Sequence, residues 1–194
     1  VARRGPDPAA DSPRALRDRQ IVLAETPRVA IETPKLRGTI NLKGARIDDL
    51  VLVQYAETVA RNSPPIRLLS PSGAKSNYFA EFGWQGAGVQ APDANTIWQA
   101  SGTKLTPTTP VTLSAQSATG QVFRIELSVD ANYMFSIRQT VANLGTAPVS
   151  VTPYALVSRA EKSADVDQWA AHVGPIAIVN RAAKGQIIEK IGLR

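Results

Sequence analysis

Residues 33–56 read T-P-K-L-R-G-T-I-N-L-K-G-A-R-I-D-D-L-V-L-V-Q-Y-A, and this stretch decides the fold. Leu36, Gly38, Ile40 and Leu42 share one parity, while Lys35, Arg37, Thr39, Asn41 and Lys43 share the other. Successive side chains of a strand point to opposite faces, so the alternation describes a β-strand with one face buried. Gly44 breaks the pattern, and the apolar run at residues 47–55 follows closely enough to be the returning arm of a hairpin.

The same period returns further along. Phe123, Ile125, Leu127 and Val129 alternate with Arg124, Glu126 and Ser128, and Tyr133, Phe135, Ile137 and Val141 alternate with Met134, Ser136, Arg138 and Thr140. Asp130-Ala131-Asn132 is the turn between the two runs. A third run, Val149, Val151, Ala155 and Val157, follows Asn143-Leu144-Gly145, so residues 121–158 are expected to form a three-stranded antiparallel meander. Its core face takes Phe123, Ile125, Leu127, Phe135 and Ile137, with Arg124, Glu126 and Arg138 on the wet face. Turn clusters at residues 63–65, 70–73, 92–95, 107–110 and 145–148 separate the strand signals. No helix of three turns is expected, and residues 161–172 alone carry enough helix formers to be a candidate. The fold class read from these residues is all-β, an antiparallel β-sandwich.

With 194 residues, 43% of them apolar, the chain can bury a core and is most simply one domain. Residues 1–27, rich in Pro, Ala, Asp and Arg, read as a flexible leader or tether, and residues 28–194 as the folded part. No apolar run approaches the roughly 20 residues that span a bilayer. Val1 in place of Met, and Arg194 with no closing turn, suggest a segment of a longer chain. The absence of cysteine excludes disulfides and thiol chemistry. The net charge of +6 is spread along the chain, without lysine or arginine blocks or an interleaved aromatic platform. That pattern argues against nucleic acid and for a solvated surface mildly attracted to anionic lipid head groups.

Several short motifs occur in a particular order: I-N-L-K-G-A-R-I-D-D-L at 40–50, S-P-P-I-R-L-L-S-P at 63–71, Y-F-A-E-F-G-W at 78–84, T-I-W at 96–98, L-T-P at 105–107, P-V-T-L at 110–113 and V-D-A-N-Y-M-F at 129–135. Taken together, over residues 28–175, they resemble the large periplasmic domain of the YidC-type membrane protein insertases in their alphaproteobacterial form. The resemblance implies a twisted supersandwich similar to that of galactose-mutarotase-like enzymes, continuing past Arg194 and therefore incomplete here at the C-terminus. It also implies a place at the periplasmic face of the bacterial inner membrane, with membrane helices outside this segment. The implied partners are nascent inner-membrane proteins and components of the Sec translocon.

Chemistry-bearing constellations are few. His172 is the single histidine and, without cysteine, an ordinary zinc site is close to excluded. It lies in A-A-H-V-G-P-I, similar to an L-H-E-G-P-I-like stretch of the family, and reads as a structural histidine. Asp48-Asp49 is the only adjacent carboxylate pair. On a regular strand the two leave opposite faces and cannot converge on a substrate, which favours a turn or edge role. Residues 83–88, G-W-Q-G-A-G, lack the order and the following helix of a phosphate cradle and read as a loop. Tyr78, Phe82 and Trp84 share a parity, as do Tyr133 and Phe135, a pattern that usually marks core and less often an aromatic cleft. No catalytic, cofactor-binding or metal-binding residue is assigned, and no cofactor is expected. The leading expectation is a non-enzymatic module that assists insertion and folding of inner-membrane proteins. The alternative is a carbohydrate-binding or carbohydrate-modifying sandwich of the mutarotase type, although one histidine cannot supply the glutamate and histidines of that chemistry.

Overall fold

The computed structural model describes residues 17–160. Eleven strands follow one short helix: α1 (Arg19–Ala24), β1 (Arg28–Glu32), β2 (Leu36–Asn41), β3 (Arg46–Ala56), β4 (Pro65–Leu69), β5 (Tyr78–Ala87), β6 (Gln99–Ala100), β7 (Lys104–Leu105), β8 (Val111–Gln116), β9 (Gln121–Val129), β10 (Phe135–Asn143) and β11 (Ser150–Arg159). They build two sheets that pack as a sandwich. The larger has the order β11-β5-β3-β2-β1-β7, with β4 also paired to β3, and the smaller has the order β10-β9-β8-β6. All pairings are antiparallel except β1 with β7. No helix among the described residues is long and apolar enough to cross a membrane.

The expected hairpin is β2 and β3, paired from Leu36↔Leu52 to Asn41↔Arg46. Leu36 and Ile40 enter the core together with Ile47 and Leu50 of β3, so the inward parity is the one the alternation indicates. One irregularity interrupts the ladder: Thr39 pairs with Asp49 but Ile40 pairs with Ile47, so β3 carries an extra residue, a β-bulge at Asp48. Gly38 makes the bulge possible. A Cβ at that position would lie 2.0 Å from the Asp49 carbonyl oxygen, so only glycine lets the two backbones approach this closely.

The inner faces interdigitate into one core. Val29, Ile31, Leu36, Ile40 and Leu105 from the larger sheet meet Val111, Leu113, Phe123, Ile125 and Leu127 from the smaller. Trp84 on β5 stacks on Trp98 at 6.2 Å and tilts against Phe123 at 5.1 Å. Gln139 on β10 donates to the Gly83 carbonyl of β5 at 2.8 Å, joining the two sheets at one flank.

Three expectations are corrected. Residues 121–143 form the hairpin β9–β10 with the anticipated turn, but the third run leaves it: β11 pairs with β5 across ten residues, in the other sheet. The segment at 144–149 carries the chain between sheets, so the periodicity of β11 is real while its neighbour is not the one sequence order suggests. Phe135 and Ile137 are only half-buried, since among the described residues β10 is the last strand of its sheet. Phe123, Ile125 and Leu127 are buried, and Arg124, Glu126 and Arg138 exposed, as expected. Residues 83–87 are not a loop but the end of β5, whose glycines admit Tyr154 of β11 against Gly83.

The leader also differs from Arg17 onwards. Asp18 caps α1 through its side chain, which accepts from the Gln20 amide, and Val22 is buried. The Arg17 amide donates to the Gly73 carbonyl at 3.0 Å, in the same loop where the Ala160 amide donates to the Asn77 carbonyl at 3.1 Å. The described chain therefore begins and ends on one loop, residues 70–77. The helix candidate at 161–172 and His172 lie outside the described residues.

The register predicts a sharp contrast in β9. Phe123→Ala should cost about 3–5 kcal/mol in urea unfolding, as expected for truncating a buried aromatic, while Arg124→Ala should stay within about 0.5 kcal/mol.

Candidate functional site

Two features of the larger sheet stand out, one on each face. The outer face carries a row of charges that are almost dehydrated. Asp48 is 2% and Asp49 7% exposed, both on the central strand β3. The bulge turns both carboxylates to this face, which corrects the expectation that adjacent positions diverge and that the pair sits at a turn or edge. Arg28 on β1 bonds Asp48, and Arg19 on α1 bonds Asp49. Thr39 on β2 links the pairs: its hydroxyl accepts from Arg28 Nε at 2.7 Å and donates to Asp49 Oδ2 at 2.9 Å. Asn41 Nδ2 donates to Asp48 Oδ2 at 3.2 Å. Next along the sheet, Arg46 Nε donates to Glu81 Oε2 at 2.6 Å and stands over the Phe79 ring, while the Tyr154 hydroxyl donates to Glu81 Oε1 at 3.0 Å.

Burial is the first cause of the shift at three of these groups, Asp48, Arg19 and Tyr154. It pushes the Asp48 carboxyl up, against the opposing pull of Arg28 and Asn41, and it pushes the Arg19 guanidinium down, helped by Arg67 and Arg28. The Tyr154 phenol is pushed far up by burial and by the negative charge of Glu81. Every carboxylate of the row has a cation on it, so none is a free base, and the arrangement is a structural lattice rather than an acid–base site. Among the described residues no group of three or more His, Cys, Asp or Glu is placed to hold a metal ion.

The inner face carries the second feature. Among the described residues the larger sheet is wider than the smaller one, and beside β10 part of its apolar face is left uncovered by them. The result is an open cleft of about 240 Å³ lined by Leu36, Ile47, Leu50, Leu68, Phe82 and Phe135, with Tyr133 at its side. The aromatic stripes thus divide between the two roles considered for them. Trp84 is core, Phe82 and Phe135 line the cleft, and Tyr78 lies half-buried beneath the Arg159 guanidinium. A cleft with almost no polar lining selects apolar surface rather than a sugar or a charged metabolite. Sequence reasoning missed Leu68 and Leu69. Their adjacency in β4 was the available signal, since a strand with one wet face has no use for two neighbouring leucines.

Two antiparallel-rich sheets enclosing a core and leaving a one-sided apolar cleft define an open β-sandwich. A family model described as the YidC periplasmic domain matches residues 28–189, and the chain belongs to that family. Curated relatives carry the name membrane protein insertase YidC. The one from Bradyrhizobium diazoefficiens is 51% identical over 145 residues, covering 73% of this chain and 24% of that protein. Those from Zymomonas mobilis and Methylobacterium sp. are 45% and 46% identical, covering 82% and 90% of this chain and 28% of each protein. The chain spans less than a third of the length of the curated relatives it matches.

Two measurements check the charge row. Asp48→Ala should destabilise by about 3–5 kcal/mol, because Arg28 is left buried without its anion. The double variant Arg28→Met/Asp48→Leu should cost less than that single change. In a titration followed by carboxyl NMR, Asp48 should have its midpoint above the ordinary aspartate value of about 3.9. The folded chain then holds this proton more tightly than the unfolded one. The stabilisation from proton binding is full below the ordinary value and is lost as pH rises through the raised one, so the stability of the parent relative to Asp48→Asn should fall across that interval.

Proposed function

We propose that this chain is the periplasmic domain of an inner-membrane protein insertase and contributes docking contact, without catalysis, to the insertion and folding of nascent inner-membrane proteins, alone or beside the Sec translocon. Family membership and the name shared by the relatives support the setting. The observation that carries the role is the open apolar cleft. Apolar surface left in contact with water favours association, and a segment emerging before it packs into a membrane protein offers the same kind of surface in return. No observation favours the carbohydrate reading.

The test uses the full-length insertase in cells. A photo-reactive side chain at Leu68 should cross-link to a nascent inner-membrane protein, and one at Arg124, on the wet face of β9, should not. Phe135→Asp, which places a charge in the cleft, should lower cross-linking from position 68 several-fold, with a melting transition measured alongside to separate docking from folding. His172→Ala should insert substrates as the parent does. Equal cross-linking from positions 68 and 124 would remove the docking role. Loss of insertion in a normally stable His172→Ala protein would remove the claim that the domain does no chemistry.

A further inference from the structure

The β3–β4 hairpin and the β9–β10 turn gather exposed apolar groups at one end of the sandwich. Of the eleven large exposed apolar side chains among the described residues, six belong to these two segments: Val53, Tyr55, Val59, Leu68, Tyr133 and Met134. They are linked in space through Lys35, whose carbonyl accepts from the Val53 amide at 2.9 Å and whose Nζ reaches Asn132 of the β9–β10 turn. Val53 and Tyr55 border one shallow depression with Arg37 and Pro65, and Leu68 and Tyr133 border the cleft.

The shape of this end differs from that of the cleft. Val59 lies in the connection between Ala56 and Pro65, and its exposure of 108% means that none of the described residues packs against it. Met134, at 68%, projects from the opposite turn. The extremity at Val59 and Met134 is convex, with the shallow depression at Val53 and Tyr55 set back from it. Its chemistry is mixed in a specific way. Lys35 Nζ stands 5.0 Å above the Tyr133 ring and donates to Asn132 Oδ1 at 2.9 Å, and Arg37 and Arg61 carry further positive charge at the same end. Glu57 and Asp130 are the neighbouring carboxylates, and Asp130 is engaged in its turn, accepting from the amides of Asn132 and Met134. Aliphatic groups at the extremity, tyrosines behind them and long basic side chains around the ring correspond to the order of acyl chain, interface and head group in a bilayer.

We infer that this end, with Val59 and Met134 foremost, rests on the surface of a membrane containing anionic lipid, the apolar groups entering the head-group layer and Lys35, Arg37 and Arg61 meeting lipid phosphates. The inference is independent of what the cleft binds. A single contact of this size gives weak, reversible and salt-sensitive attachment, which suits a domain already held near a bilayer.

Co-sedimentation of the 194-residue chain with vesicles tests it. The chain should pellet with vesicles of phosphatidylethanolamine and phosphatidylglycerol, less with phosphatidylcholine, and less again as salt is raised. Val59→Asp/Met134→Asp should lower partitioning about tenfold, which corresponds to about 1.4 kcal/mol. Leu144→Asp, a charge placed at another exposed apolar residue (70%) between β10 and β11, should leave partitioning unchanged. Both substituted sites are solvated, and equal melting of all variants confirms that folding is intact. Three results would overturn the inference: no pelleting with the anionic vesicles, equal pelleting of the parent and the tip variant, or a parent that self-associates in sedimentation velocity through a contact that the tip substitutions abolish.

Discussion

The larger sheet depends on matching two aspartates with cations in a place almost without water. β3 touches three neighbours, β2 on one side and β5 and β4 in succession on the other, so its placement fixes most of that sheet. The bulge at Asp48 sets both carboxylates on the outer face, where each must be met by a cation. Arg28 arrives from β1, two strands away, and Arg19 from the helix laid over the face. A register slip of one residue would bury unmatched charge, a far larger penalty than the loss of a few apolar contacts. Hydrophobic burial on the inner face drives the sheet to form, and the charge row on the other face discriminates against its near-misses.

Unequal sheets have a second effect. A wide sheet can be covered by a narrower one only in part, and the surplus becomes either an exposed apolar strip or a binding surface. Here the surplus lies beside β10, the last strand of its sheet among the described residues, whose inward residues are half-buried. Cleft and convex tip share Tyr133 and Leu68 at their boundary but differ in curvature. A single apolar region therefore presents a recess on one side and a projection on the other.

Much of this was legible in the residues. Period-two alternation located β2, β9 and β10 and the inward parity of each, because one-sided burial imposes that period directly, and the apolar run at 47–55 located β3 as the returning arm of the hairpin. What escaped depended on partners far away in the chain. The strand β11 was readable but its crossing to the other sheet was not, since alternation reports burial and carries no address for the neighbour. The convergence of Asp48 and Asp49 needed the bulge, which is prepared by Gly38 ten residues earlier and leaves no local mark at the aspartates. The helix α1 is too short for periodicity and holds its place through Val22 and Arg19, contacts made with the sheet. The cleft escaped because it arises from a difference between the widths of two sheets, a quantity that no single segment encodes.

The loop at 70–77 is held from two sides, through the amides of Arg17 and Ala160, by segments far apart in sequence. The stretch leading into α1 and the end of β11 thus share one anchor. A change that displaced the backbone near Gly73 and Asn77 would loosen both together, while the β2–β3–β5 ladder and the aromatic core behind it kept their own bonds.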